Sequence, residues 1–186
     1  MAIWIVLGVI VLLVIFGISL YNRLVNLRNT RENAFADIDV QLKQRHDLIP
    51  QLLGSVKGYM KHEEGVLMRV TEARARAMGA RTIEEKIATE SELGAALQGL
   101  RVQVEAYPEL KANQNFLHLQ EEISDVENKL AASRRYFNSA TREYNTAVES
   151  FPANIMAGAF NFHREPMFDV GVSDRERLDK APEIKF

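Results

Sequence analysis

An apolar run opens the chain: Ile3 to Leu20, IWIVLGVIVLLVIFGISL, holds no charged side chain. At about 1.5 Å of rise per residue, a helix of this length crosses a hydrocarbon core of about 30 Å. A secretory signal peptide has a basic start, a shorter apolar stretch and a small-residue cleavage site. Here no Lys or Arg precedes the run, and no A-x-A pattern follows it. The pattern therefore predicts an uncleaved transmembrane anchor over residues 1–21. Arg23, Arg28 and Arg31 come next, and basic flanks are retained in the cytoplasm. The expected topology is single-pass, with the N-terminus outside and the bulk of the chain cytoplasmic. Trp4 and Tyr21 stand near the two ends, where amphipathic rings favour the interface.

Past the anchor the apolar period changes. Phe35, Ile38, Leu42, Ile49, Leu52, Val56, Tyr59, Val66 and Val70 are spaced by three, four or sums of these, one seam of a packed helix. The seam keeps its phase across Pro50, which predicts a helix from Asn22 to about Met78 with a kink there. Proline removes a hydrogen bond and restricts the residue before it, so a break at Pro50 is the alternative, with Gly54 and Gly58 close by. Gly79 to Thr82 reads as a turn, with Thr82 an N-cap and Glu85 three residues on. A second helix carries Ile83, Ile87, Leu93, Leu97, Leu100 and Val104, and Tyr107-Pro108-Glu109-Leu110 reads as a tight connection.

The third helix has the most regular pattern. Phe116, Ile123, Leu130, Phe137, Tyr144 and Phe151 recur every seventh residue. Leu119, Val126, Ala140 and Ala147 hold the companion position, with Ser133 the polar exception. Such a coiled-coil-like seam requires neighbouring helices, and this helix is roughly 60 Å long at 1.5 Å per residue. The expected fold is all-α: a transmembrane helix running into an elongated antiparallel up-and-down bundle over residues 22–151. It has three long helices, or four if the first breaks at Pro50. Residues 152–168 read as an apolar and aromatic cap segment, and 169–186 as a charged, extended tail.

Composition narrows the chemistry. The net charge of −2 and the lack of a basic stripe leave no nucleic-acid footprint. Without cysteine, disulfides, thiolate metal sites and a cysteine nucleophile are excluded. A di-iron bundle site needs Glu-x-x-His pairs, and none of His46, His62, His118 or His163 has a glutamate three residues earlier. His62-Glu63-Glu64-Gly65 starts like a zinc-protease motif but lacks the second histidine. No phosphate loop or nucleophile elbow is present, and Glu121, Glu122 and Asp125 read as a solvated helix face. No catalytic residue, metal or cofactor is expected.

Two charges, Arg45 and Glu63, fall on the apolar seam of the first helix. A buried unpaired charge is costly, so each needs a partner. Glu127, Arg134 and Arg135 on the third helix are candidates, with Asn128 beside them. The expectation is a polar network that fixes helix register; a ligand or metal site around Arg45 and Glu63 is the competing reading. Asn138, Tyr144 and Asn145 lie near the seam edge as hydrogen-bonding residues between helices or at a subunit contact. Phe151, Ile155, Phe160, Phe162 and Phe168 form an apolar block that either caps the bundle or meets a partner, another copy or a membrane.

Several ordered blocks resemble the LemA family over essentially the whole chain. They include the anchor with Tyr21-Asn22 and Leu24-Val25, Ile38 to Arg45, and Asp47-Leu48-Ile49-Pro50. Further on come Tyr107 to Asn113, Glu127-Asn128, Arg134 to Asn138, Tyr144-Asn145, and Phe151 to Ile155. The resemblance implies a bacterial cell-membrane protein with an N-terminal transmembrane helix, a short outer terminus and an up-and-down helical bundle, and no agreed catalytic residues. A magnetosome-forming relative linked to membrane biogenesis points to membrane organisation. The reading is a non-enzymatic, membrane-anchored helical scaffold. Its expected partners are the lipid bilayer and either copies of itself or other membrane or protein partners; membrane remodelling is the second reading.

Overall fold

A computed structural model of the chain describes residues 1–60 and 62–168; the expected tail, 169–186, lies outside them. Among the described residues six helices follow in order: α1 (Ala2–Lys57), α2 (Glu64–Gly79), α3 (Ile83–Val104), α4 (Pro108–Lys111), α5 (Gln114–Glu149) and α6 (Ala153–Ala159). The all-α expectation holds, and no strand occurs among the described residues.

The first helix ends somewhere other than expected. α1 continues through Pro50 and stops at Lys57. Pro50 is exposed, so its ring strains only the outer face, and the cost is chiefly the one missing N–H. The chain leaves the helix at Gly58, where backbone freedom makes helix continuation least favourable. Tyr59 and Met60 both donate backbone N–H bonds to the Val56 carbonyl at 3.0 Å, closing the last turn. Met60 enters the core, whereas Tyr59 remains exposed. α2 then begins as a separate helix, so the single helix reaching Met78 is two helices, parted at Gly58.

The chain divides into two compact units. One holds Gln41–Lys129 and Phe168. Within it, the second half of α1, then α2, α3 and the first half of α5 share one apolar core. Ile49, Leu52 and Val56 of α1 meet Val66, Val70 and Ala73 of α2, Leu93, Leu100 and Val104 of α3, and Phe116 and Ile123 of α5. Burying each large apolar side chain contributes about 1.5–3 kcal/mol, which is why the three-and-four spacing dictates the packing. Leu110 of the short α4 closes one end of this core, and Pro108 occupies its first turn. There the absence of an N–H costs nothing.

The α2–α3 turn carries its own stop and start signals. Thr82 accepts a hydrogen bond from the Glu85 backbone N–H at 3.1 Å, while the Glu85 carboxylate accepts from the Thr82 and Arg81 N–H groups. This is a capping box, satisfying donors that the helix cannot.

The other unit holds Met1–Val40 and Leu130–Met167. Its core joins Leu24 of α1, Tyr144 and Ala147 of α5, Ala157 of α6, and Phe162. The helix α6 ends where Asn161 adopts φ 64°, the left-handed conformation that asparagine tolerates better than most residues. The Phe162 N–H reaches the Ala157 carbonyl at 3.0 Å, the long bond of a Schellman stop. That turn drives the Phe162 side chain inward, 6 % exposed.

Thr82→Ala should cost about 1 kcal/mol of stability, the usual value of an N-cap, seen as a lower melting temperature by circular dichroism in mild detergent. The two backbone N–H groups hold the Glu85 carboxyl below its ordinary value of 4.5. Because the folded value is the depressed one, the contribution is complete above the ordinary value and is lost as pH falls through the folded one. The stability gap between the natural chain and Glu85→Gln should therefore close on acidification below about pH 4; a gap that does not change with pH would contradict this role.

Candidate functional site

The polar centre of the Gln41–Lys129 unit is built around Arg45, 6 % exposed. One guanidinium nitrogen, Nη1, donates to Glu90 Oε2 of α3 at 3.1 Å, and Nη2 lies 3.5 Å from Glu127 Oε1 of α5. His46 Nε2 meets the other Glu90 oxygen at 2.6 Å. An ionised carboxylate only accepts, so Nε2 carries the hydrogen of that bond. The Arg74 Nε of α2 donates to the His46 carbonyl at 2.7 Å. Through Arg45, His46 and Arg74, α1 is tied by polar contacts to α2, α3 and α5. Gly94 of α3 faces the guanidinium: a Cβ there would stand 3.7 Å from Nη2.

Of the residues singled out by sequence, Arg45 and Glu127 come together. Glu63 does not join them: it is half-buried at the N-terminal edge of α2, without a side-chain capping bond. Its placement on the seam assumes helical phase across a stretch that is a turn. Asn128 and Arg135 are exposed and Arg134 is half-buried; Arg45 takes Glu90 instead. Sequence reasoning passes over Glu90 and His46, although both interrupt an apolar period. Glu90 stands three residues after Ile87 and three before Leu93, and His46 four after Leu42 and three before Ile49.

The room beside this cluster is small. A cavity of about 60 Å³ is bounded by Leu52, Leu97, Leu100, Phe116, Ile123 and Glu127, among others, enough for a water or two and not for an organic cofactor. Among the described residues, no three His, Cys, Asp or Glu side chains gather to hold a metal ion. Both Glu90 oxygens are engaged, one with Arg45 and the other with His46, so the cluster joins α1 to α3.

The Met1–Val40 and Leu130–Met167 unit has its own polar centre. Asn145 of α5 grips the backbone of Glu165 twice, donating from Nδ2 to its carbonyl and accepting its N–H at Oδ1, both at 2.9 Å. Arg31, 6 % exposed, lies 4.9 Å from the Phe137 ring centroid and donates to the Pro166 carbonyl at 3.2 Å. Its charge is met by Glu165 Oε2 at 3.3 Å. Burial pushes the Tyr144 hydroxyl above its ordinary value, and the Glu165 carboxylate adds to the effect. The segment after α6 is thereby strapped along α5.

The apolar block splits in two. Phe162 and Phe168 are buried, while Phe151, Ile155 and Phe160 remain 80 %, 62 % and 55 % exposed. The heptad that places Phe151 in a seam overruns α5, which stops at Glu149. Tyr21, at the end of the apolar span, stacks edge-on with Phe160 at 4.9 Å and with Phe162 at 5.8 Å between ring centroids.

The model of the LemA family matches residues 34–186. The chain belongs to the LemA family. A protein named LemA from Metamycoplasma hominis is 26 % identical over 159 residues, 85 % of this chain and 72 % of that relative. The magnetosome protein MamQ of Magnetospirillum gryphiswaldense is 31 % identical over 75 residues, 40 % of this chain. MamQ 1 of Paramagnetospirillum magneticum is 29 % identical over the same length. The chain spans only 28 % of the length of either magnetosome protein.

Removing Glu90 should leave the buried Arg45 charge with only the partly exposed Glu127, 3.5 Å away. Glu90→Leu is expected to lose about 3 kcal/mol, and adding Arg45→Met to it should restore most of that loss. Thermal unfolding of the full chain in mild detergent measures both. If Glu90→Leu proves neutral, Arg45 is solvated and the cluster does not hold the helices.

Proposed function

We propose that this LemA-family chain is a non-enzymatic, single-pass membrane scaffold with its N-terminus outside and its helical bulk in the cytoplasm. One observation carries the reading. α1 contains an apolar span long enough to cross a membrane, and none of that span is buried within the protein. A core helix of this hydrophobicity would be covered by its neighbours; this one leaves lipid as the cover. The same helix continues into packed structure, where Leu24 is fully buried. Arg23 and Arg28, exposed just past the span, fit a cytoplasmic flank.

The non-enzymatic reading rests on the Arg45 cluster, whose carboxylates and guanidinium are spent on one another beside a cavity too small for a substrate. A ligand or metal site around Arg45 and Glu63 draws no support from this geometry, because Arg45 is paired to Glu90 and Glu127. Membrane remodelling keeps a specific observation in its favour: the likeness to proteins named for the magnetosome, over the part that matches.

A scaffold of this kind engages copies of itself or partner proteins. The full-length chain in mild detergent should give a discrete multimer by light scattering corrected for bound detergent. A monomer would sink self-association and move the role to other partners or to lipid.

A further inference from the structure

The anchored reading leaves the exposed half of the apolar block unexplained, and the inference drawn from it rests on that reading. We propose that α6 and its flanks form a foot on the membrane, with Phe151, Ile155 and Phe160 seated in the headgroup and acyl boundary of the leaflet from which α1 emerges. The position is given by contacts. Phe160 packs its ring against Tyr21, the residue that follows the last apolar position of the span, Leu20. On the other flank of α6, a cleft of about 350 Å³ is lined by Leu20, Phe151 and Pro152. Phe151 and Phe160 therefore stand at the depth where the span ends.

The short helix between them is oriented by its own pattern. α6 buries Ala153 and Ala157, one turn apart, against its unit, and leaves Ile155 outside. Three large apolar side chains are thus exposed where the helix crosses from hydrocarbon into headgroups. Interfacial segments bury such residues about 5–10 Å into that boundary. The charges agree with this occupant. Arg23 and Arg142 line the same cleft as Leu20 and Phe151, and both are exposed. Neither has an ion-pair partner among the described residues. Guanidinium groups at this level meet lipid phosphates; Glu143 is the one acidic residue in the cleft.

The chain has a single tryptophan, Trp4 at the far end of the span, so the foot and the anchor can be read separately. Full-length protein is reconstituted into vesicles of phosphatidylglycerol and phosphatidylcholine, the latter brominated either high or low on its acyl chains. Phe160→Trp in a Trp4→Phe background reports on the foot, Ile155→Trp in the same background is a second reporter, and the natural protein reports on the anchor. The foot predicts blue-shifted emission from both reporters, and greater loss of fluorescence with bromine near the ester end than near the chain terminus. Unquenched reporters alongside a quenched Trp4 overturn the foot, leave the anchor intact and give the patch to a second copy or another protein. An unquenched Trp4 removes the anchored reading and the foot with it.

Discussion

One helix carries two kinds of surface, and the proposed anchoring depends on that change. Up to Leu20 α1 is apolar on every side and uncovered, a surface that suits lipid better than water. From Leu24 onward a single face is buried and the others carry Asn, Arg and Glu. The helix does not pause at the changeover: no glycine or proline lies between Ile18 and Thr30, and helical assignment is unbroken. The neighbours of this stretch accept the change too. Tyr21 sits among aromatic rings, Arg28 lies 5.4 Å from the Phe162 ring centroid, and the strap after α6 is held by Asn145 and Arg31.

A second constraint acts within the Gln41–Lys129 unit. Arg45 on the core side of α1 has to be neutralised by what packs there, and it selects Glu90 and Glu127. Apolar residues in place of both Arg45 and Glu90 would remove that demand at little cost in stability. What the charge contributes is discrimination: sliding α3 or α5 by a turn would strand a buried guanidinium, so other registers are penalised more heavily than the native one.

Much of this was legible in the sequence because its causes are local. The capping box at Thr82 and Glu85 needs only three residues of separation, and the α5 period needs only side chains that want cover. The misread features have causes that reach beyond a local period. The helix runs through Pro50, as its seam implies, yet it ends at Gly58, well short of Met78. Carrying the seam through that turn put Glu63 in the core, where it does not sit. Glu90 was a polar residue at an apolar-period position, but nothing local tells it from a surface residue until Arg45 is known to face it. The block from Phe151 to Phe168 has no helical period, so only the fold separates its buried members, Phe162 and Phe168, from the three that stay exposed.

The account stands on the continuity of α1 through its change of solvent, and amide hydrogen exchange of the full-length chain in lipid nanodiscs measures it directly. Protection should run without a gap from the end of the span through residues 21–30, because those backbone N–H groups lie within one hydrogen-bonded helix braced by Leu24. Rapid exchange confined to residues 21–30, between a protected span and a protected domain, would contradict it. The anchor would then be a tether joined by a flexible link, and α1 two helices.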